Sequence, residues 1–171
     1  MIRSHACVLS LVLAAATSCG DKGGGFPVDA GPAAMTIGGT AADGSGFTPL
    51  QGDQALVPGA QGGFHVWIKY RVCGLGPTRV KIRRVARRVT DERIILNVPE
   101  LEQQLGAPDA QGCWETPAPT PWFMCPSPIG VNLKDEAVRF DITVTDLAGT
   151  TLVNTSAQAV LHCPPGDQAE F

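Results

Sequence analysis

The thiol groups are the side chains whose number and spacing imply the clearest chemistry in this sequence. Six cysteines occur in 171 residues, namely Cys7, Cys19, Cys73, Cys113, Cys125 and Cys163. A thiol can be acylated, oxidised to a disulfide or bound to a soft metal such as copper. The last four cysteines form an even set, which suits two disulfides in an oxidising compartment.

The N-terminus has the three parts of an export signal. Met1–His5 carries the basic Arg3, residues 6–16 form an uncharged run, and small residues then lead to Cys19. This run is too short to cross a membrane, because a spanning helix needs about 20 apolar residues. We therefore predict that residues 1–18 are a signal peptide that is removed from the mature chain.

The segment Ala16-Thr17-Ser18-Cys19 resembles the lipobox of bacterial lipoproteins. The resemblance implies cleavage before Cys19, whose thiol carries diacylglycerol, and a lipid anchor (palmitate among its acyl chains) in the outer membrane of the cell envelope. Three acyl chains would make attachment to the bilayer effectively permanent, whereas one chain binds only marginally. The alternative is an ordinary signal cut after Ala16, which leaves one of five cysteines unpaired. Lipidation of Cys19 leaves an even number and is therefore favoured.

Composition divides the mature chain into a tether, one domain and a tail. Residues 19–33 are rich in glycine and proline and predict a flexible tether, of roughly 20 Å for a flexible chain of this length. Residues 34–165 suit a single domain, and residues 166–171 a C-terminal tail. The mature chain carries 12 basic and 16 acidic side chains, an acidic balance that argues against nucleic acid as a partner.

Alternating apolar residues predict β-strands through most of the domain. Residues 64–72 and 138–145 each alternate with a period of two, and Asp146–Gly149 supplies a turn to a returning strand at 151–161. Further strand-like segments are 79–89 and 93–98, with weaker ones at 35–37 and 55–57. The start and stop signals of Pro99–Gly106 instead predict a short helical turn.

Six to eight strands without alternating helices predict an all-β fold, an antiparallel two-sheet sandwich. In strand number and spacing the domain resembles immunoglobulin-like and fibronectin type III-like domains. Trp67 departs from the immunoglobulin pattern because it lies on the polar side of its strand.

Two tryptophans fall between Cys113 and Cys125. A bridge between these cysteines would close a 13-residue loop, worth about 3 kcal/mol in the chain-entropy model, and Cys73 would then pair with Cys163. Sequence alone leaves all three connectivities open. Such a loop could present Trp114, Trp122 and Phe123 to a sugar or a partner protein; the alternative, which we favour, is a flap whose aromatic residues pack inward.

Basic residues concentrate between residues 69 and 93, where nine occur against two acidic ones. Arg83 and Arg87 are the candidate contacts if this segment forms a cationic face for polysaccharide, lipid headgroups or protein. The favoured alternative is a solvated face whose arginines pair with acids on neighbouring strands.

His65 and Trp67 lie on the non-core side of their predicted strand and are further candidate binding residues. The segment Gly59–Trp67 resembles a motif of Gram-negative lipoproteins with similar β domains, a resemblance that implies no particular activity. The alternative is that both side chains pack beneath neighbouring strands.

The residues nominate no catalytic group and no cofactor. The mature chain has two histidines, without the ligand spacing of a metal site or the placed nucleophile of a triad. The sequence therefore predicts a membrane-anchored, non-catalytic binding or structural module with an envelope protein or glycan as partner. The alternative is a carbohydrate-binding surface protein that uses the Trp114–Trp122 loop.

Overall fold

A computed structural model describes residues 32–40, 45–59, 62–125, 127 and 129–163 of the chain. The predicted signal peptide, Cys19, the tether up to residue 31 and the C-terminal tail lie outside these residues. Within the described part, eleven β-strands form two sheets that pack face to face. The predicted all-β sandwich is confirmed.

The strands, in chain order, are β1 (Ala34–Gly39), β2 (Thr48–Pro49), β3 (Gln51–Ala55), β4 (Val57–Pro58), β5 (Phe64–Cys73), β6 (Arg79–Arg88), β7 (Ile94–Gln104), β8 (Cys113–Glu115), β9 (Thr120–Cys125), β10 (Glu136–Thr145) and β11 (Thr151–His162). Sheet A contains β1, β2, β4, β5, β8 and β9, and sheet B has the order β3-β11-β10-β6-β7.

Strand β5 is the centre of sheet A. Strands β1 and β4 pair with one of its edges, while β8 and β9 pair with the other. The side chains of Val66, Ile68, Tyr70 and Val72 are buried as the alternation predicts. They point into the space between the sheets because same-face residues recur every second position.

Sheet B is antiparallel except at one edge. Strand β3 pairs with β11 in the parallel direction, which is the exception to the predicted antiparallel arrangement among the described strands. Strands β10 and β11 form the predicted antiparallel hairpin around Asp146–Gly149. The order β11-β10-β6 in one sheet and β1-β5 with β8 and β9 in the other matches the immunoglobulin arrangement of G-F-C opposite A-B-E strands.

The segment Pro99–Gly106 is not helical: strand β7 runs through it to Gln104. The pairing of β7 with β6 passes from Val98 opposite Arg84 to Leu101 opposite Ile82, so Pro99 and Glu100 lie in a bulge. Proline lacks a backbone N–H and is accepted in a bulge on an edge strand. Pairing with β6, the preceding strand, therefore overrides the local helix signals of this segment.

The disulfides are Cys73–Cys113 and Cys125–Cys163, not the predicted local pair. Strands β8 and β9 follow each other along one edge of β5, with Cys113 opposite Cys73 and Cys125 opposite Phe64. These two points on a ten-residue strand are about 30 Å apart at the usual rise per residue. A disulfide needs Cα atoms within about 7 Å, so Cys113 and Cys125 cannot bond.

Candidate functional site

Trp114 and Trp122 belong to the core of the sandwich. Their exposed fractions are 8% and 1%, and their rings lie 5.9 Å from Tyr70 and 5.4 Å from Phe140, centroid to centroid. Inward packing, the interpretation favoured from sequence, is thus observed for both tryptophans. Neither a closed loop that presents them to a ligand nor the predicted flap is formed, because Cys113 and Cys125 do not pair and the segment supplies strands β8 and β9 to sheet A.

His65, Trp67 and Phe123 come together on the outer face of sheet A. The ring of His65 lies 4.0 Å from that of Phe123 and 5.9 Å from that of Trp67. Phe123 is 38% exposed, but His65 is only 4% exposed and packs so closely on Gly59 that a Cβ there would collide with the imidazole. His65 Nδ1 and Trp67 Nε1 are both buried and have no partner among the described residues. The cluster therefore presents the exposed ring of Phe123 and the partly exposed ring of Trp67, while Nδ1 of His65 and Nε1 of Trp67 are covered.

Ion pairs engage most of the basic segment. The basic partners are Lys69, Arg71, Arg79, Arg87 and Arg88, and their acids are Glu115, Asp109, Glu102, Asp141 and Asp91. Hydrogen bonding from the Arg88 guanidinium lowers the pKa of Asp91 to about 2. The predicted pairing with acids on neighbouring strands holds for Glu115, Glu102 and Asp141, whereas Asp91 and Asp109 lie outside the strands.

A shallow groove of about 510 Å³ crosses the outer face of sheet B. Its rim is formed by Arg83, Arg87, Arg139, Asp141, Asn154 and Ser156, and its floor by Val85 and Thr143. We call this set the arginine groove. It holds Arg83 and Arg87, the two arginines nominated from sequence.

The strand register explains why these residues meet. Outward-facing positions of β6, β10 and β11 form rows across the sheet, such as Arg83 beside Thr143 and Thr143 beside Asn154. In the next row, Val85 lies beside Asp141 and Asp141 beside Ser156. Adjacent strands are about 4.8 Å apart, so the side chains in a row are within contact range.

Asp141 fixes one side of the arginine groove. It accepts hydrogen bonds from Arg139 Nε at 3.1 Å and from Ser156 Oγ at 2.6 Å, and it lies 3.4 Å from Arg87 Nε. Arg139 also donates to both oxygens of Glu92, at 2.8 and 2.7 Å, and this bonding raises the pKa of Arg139. Arg139 and Asp141 are thus satisfied within the protein and act as a fixed wall.

Arg83 differs from the other arginines of the groove. It is exposed, and no carboxylate of the described residues lies within 4.0 Å of it. Beside it, the floor residue Val85 is only 5% exposed, although it faces outward. The groove therefore combines an available guanidinium with a largely polar lining, in which Val85 is the apolar residue.

A second concavity, of about 500 Å³, lies beside β8. Trp114, Gln103, Asp109, Glu115 and Arg71 contribute to its lining. Arg71 pairs with both Asp109 and Glu115, so its charged groups already satisfy one another. The arginine groove is the better candidate site because it holds an unpaired charge.

Arg139, Asp141, Asn154 and Ser156 were not nominated from sequence. For Arg139 and Asp141 the signal was present in the alternation of residues 138–145, whose polar positions face outward, whereas Asn154 and Ser156 lie on the returning strand at 151–161. That alternation indicates an exposed face but not which strand adjoins it. The pairing of β10 with β6, which brings the arginines to this hairpin, had no sequence signal.

The fold is a two-sheet β-sandwich, and the groove on the outer face of sheet B is lined by three arginines and one aspartate besides neutral residues. No protein-family model matches the chain, and no curated protein is detectably similar to it. The described residues include no helix of the length and apolarity needed to span a bilayer, and no group of three or more His, Cys, Asp or Glu side chains placed to hold a metal ion.

Proposed function

We propose that the protein is an exported, lipid-anchored module of the cell envelope that binds a partner without catalysing a reaction. Its contact surface in this proposal is the arginine groove. The observation that carries the proposal is the unpaired Arg83 in a groove whose other charges are held in place.

The cysteines support the anchoring part of the proposal. All four cysteines of the sandwich bond to one another, so none of them is left as a free thiol. In a chain cleaved before Cys19, that residue would be the cysteine available for a diacylglycerol. Disulfides also suit an oxidising compartment outside the cytosol.

The groove supports the binding part. An exposed cation that has no partner attracts an anionic surface from a distance, and it keeps most of its bound water until the two surfaces touch. The nearby ion pairs orient Arg87 and Arg139 before a partner arrives, and side chains that are already ordered lose less entropy on binding. A fixed, donor-rich surface of this kind suits recognition.

The test compares two arginines on the outer side of β6. Lipoprotein in detergent is passed over delipidated envelope fragments, into which acyl chains cannot insert. We expect Arg83→Glu to lower retention by about tenfold or more, because a favourable contact becomes a repulsive one. Arg79→Glu is the matched control, because Arg79 pairs with Glu102 outside the groove. Equal retention of the two variants would refute the groove as the contact surface.

A further inference from the structure

We propose that the partner of the arginine groove is an acidic polysaccharide, bound through its carboxylate or sulfate groups and its sugar hydroxyls together. This inference rests on the proposed function and specifies the ligand of the same site.

The charge of the ligand follows from Arg83 and Arg87. A guanidinium presents five N–H donors and no acceptor, in a planar arrangement that matches carboxylate and sulfate oxygens. Arg83 has no carboxylate partner among the described residues, and Arg87 contacts Asp141 through Nε. The terminal nitrogens of Arg87 therefore stay available, and the two arginines together form an anion-binding pair.

The hydroxyl groups of the ligand are matched by the neutral polar side chains that line the groove. Thr143 Oγ1 donates to Asn154 Oδ1 at 3.3 Å, which leaves the Asn154 amide nitrogen as a free donor. Ser156 Oγ donates to Asp141, which leaves its own oxygen as an acceptor. A sugar hydroxyl is both donor and acceptor and can use either group.

The dimensions of the groove suit a chain more than a single small ion. Arg83 and Arg87 are four residues apart on β6, or about 13 Å at the rise of a strand. Asn154 lies two strands from Arg83, or about 10 Å across the sheet. An extended polymer can reach both arginines and the amide at once, and such multiple contacts raise the overall affinity.

An acidic protein fits the groove less well. Protein interfaces are centred on buried aromatic or apolar anchors. The exposed large apolar side chains of the described residues are Ile94, Leu101, Phe123, Ile129 and Leu147, and none of them lines the groove. Val85 is the apolar member of its lining and is almost fully covered.

The experiment measures binding of detergent-solubilised lipoprotein to three soluble polymers: polygalacturonate, neutral dextran and poly-L-glutamate. We expect polygalacturonate to bind, with a Kd that rises with salt because exposed charges are screened. Arg83→Gln should weaken this binding about tenfold, and Asn154→Ala severalfold. Arg79→Gln removes one positive charge from the same strand outside the groove and should change the Kd by less than about twofold.

Each other outcome overturns the inference in a different way. Equal binding of dextran would show that charge is not recognised, and tighter binding of poly-L-glutamate would indicate an acidic protein. If polygalacturonate does not bind but Arg83→Glu still abolishes retention on envelope fragments, the ligand class is wrong while the proposed function stands. If Arg83 and Arg79 variants are equivalent in both assays, the proposed function fails as well.

Discussion

At the scale of single residues, burial separates packing from recognition more sharply than residue type does. Trp122 and Phe123 are adjacent in β9 and point to opposite faces of sheet A, since successive side chains of a strand alternate. Trp122 fills the core beside Phe140, whereas Phe123 is exposed beside His65. The sequence shows that aromatic residues are adjacent here, but it does not show which of them reaches the surface.

These two neighbours give a direct test of the packing. Trp122→Ala should lower the free energy of unfolding by about 3–5 kcal/mol, since it removes a large buried ring and leaves a cavity. Phe123→Ala should cost about 1 kcal/mol or less, because half-exposed rings contribute little. Urea denaturation followed by fluorescence of the remaining tryptophans measures both. Similar losses in the two variants would mean that the orientation of β9 is wrong.

At the scale of strands, alternation predicted most of the sheet elements, because period-two burial is local in sequence. The ends of strands β5, β6 and β10 lie within two residues of the predicted segments. The bulge in β7 was missed because residues 99–106 carry local helix signals, and the parallel pairing of β3 was missed because it depends on which distant strand lies alongside. The predicted disulfide connectivity was wrong because the actual one depends on β8 and β9 pairing with the same edge of β5.

Edge strand β3 is held to its neighbours by a histidine. His162 at the end of β11 contacts Asp53 of β3 through Nε2 at 3.3 Å and Asp135 through Nδ1 at 2.8 Å. The hydrogen bonds that the imidazole donates to Asp135 and to Asp53 raise the pKa of His162 above its usual value. The protonated imidazole therefore links β3, β11 and the segment before β10.

This link predicts a pH dependence of stability. A histidine whose pKa is raised in the folded state stabilises fully below its unfolded pKa of about 6.5, and this contribution is lost as pH rises through the folded pKa. The unfolding free energy of wild type should exceed that of His162→Gln most at pH 5.5. The difference should shrink steadily above pH 6.5.

Urea titrations of both proteins at several pH values between 5.5 and 8.5 measure the difference. Other titrating groups are common to the two proteins and cancel in the subtraction. A difference that stays constant across this range would show that His162 does not interact with the two carboxylates as a cation.

At the scale of the whole molecule, the two disulfides close opposite ends of the sandwich. Ala34 lies opposite Cys73, so the chain enters the domain at the Cys73–Cys113 end. Cys125 ends β9 of sheet A and Cys163 follows β11 of sheet B, so their bond joins the two sheets at the other end. The arginine groove lies between the ends, on the outer face of sheet B.

Non-reducing peptide mapping should therefore recover Cys73 linked to Cys113 and Cys125 linked to Cys163. Replacing both members of either pair with serine should lower the unfolding free energy by about 4 kcal/mol in the chain-entropy model, because the sequence separations, 40 and 38, are almost equal. Denaturation of the two double variants checks the size. A peptide that links Cys113 to Cys125 would contradict the arrangement of β8 and β9 along β5.

Cysteine number anticipated the two disulfides, and alternation anticipated the sandwich and its exposed polar positions. The sequence predicted part of the arginine groove, because Arg83 and Arg87 lie in the segment where basic residues concentrate. Arg139, Asp141 and Asn154 join them only through the β6–β10–β11 register. Local patterns predict which side chains face water, while strand order determines which of them share a surface.

Anchoring of a binding domain to the envelope through Cys19 can be tested directly by one comparison. Wild type and Cys19→Ser are expressed with their own leaders, separated into membrane and soluble fractions, and weighed intact by mass spectrometry. We expect wild type in membranes at the mass of a chain beginning at Cys19 plus its acyl chains, and Cys19→Ser either soluble or unprocessed. Recovery of Cys19→Ser in membranes at the processed mass would contradict the account.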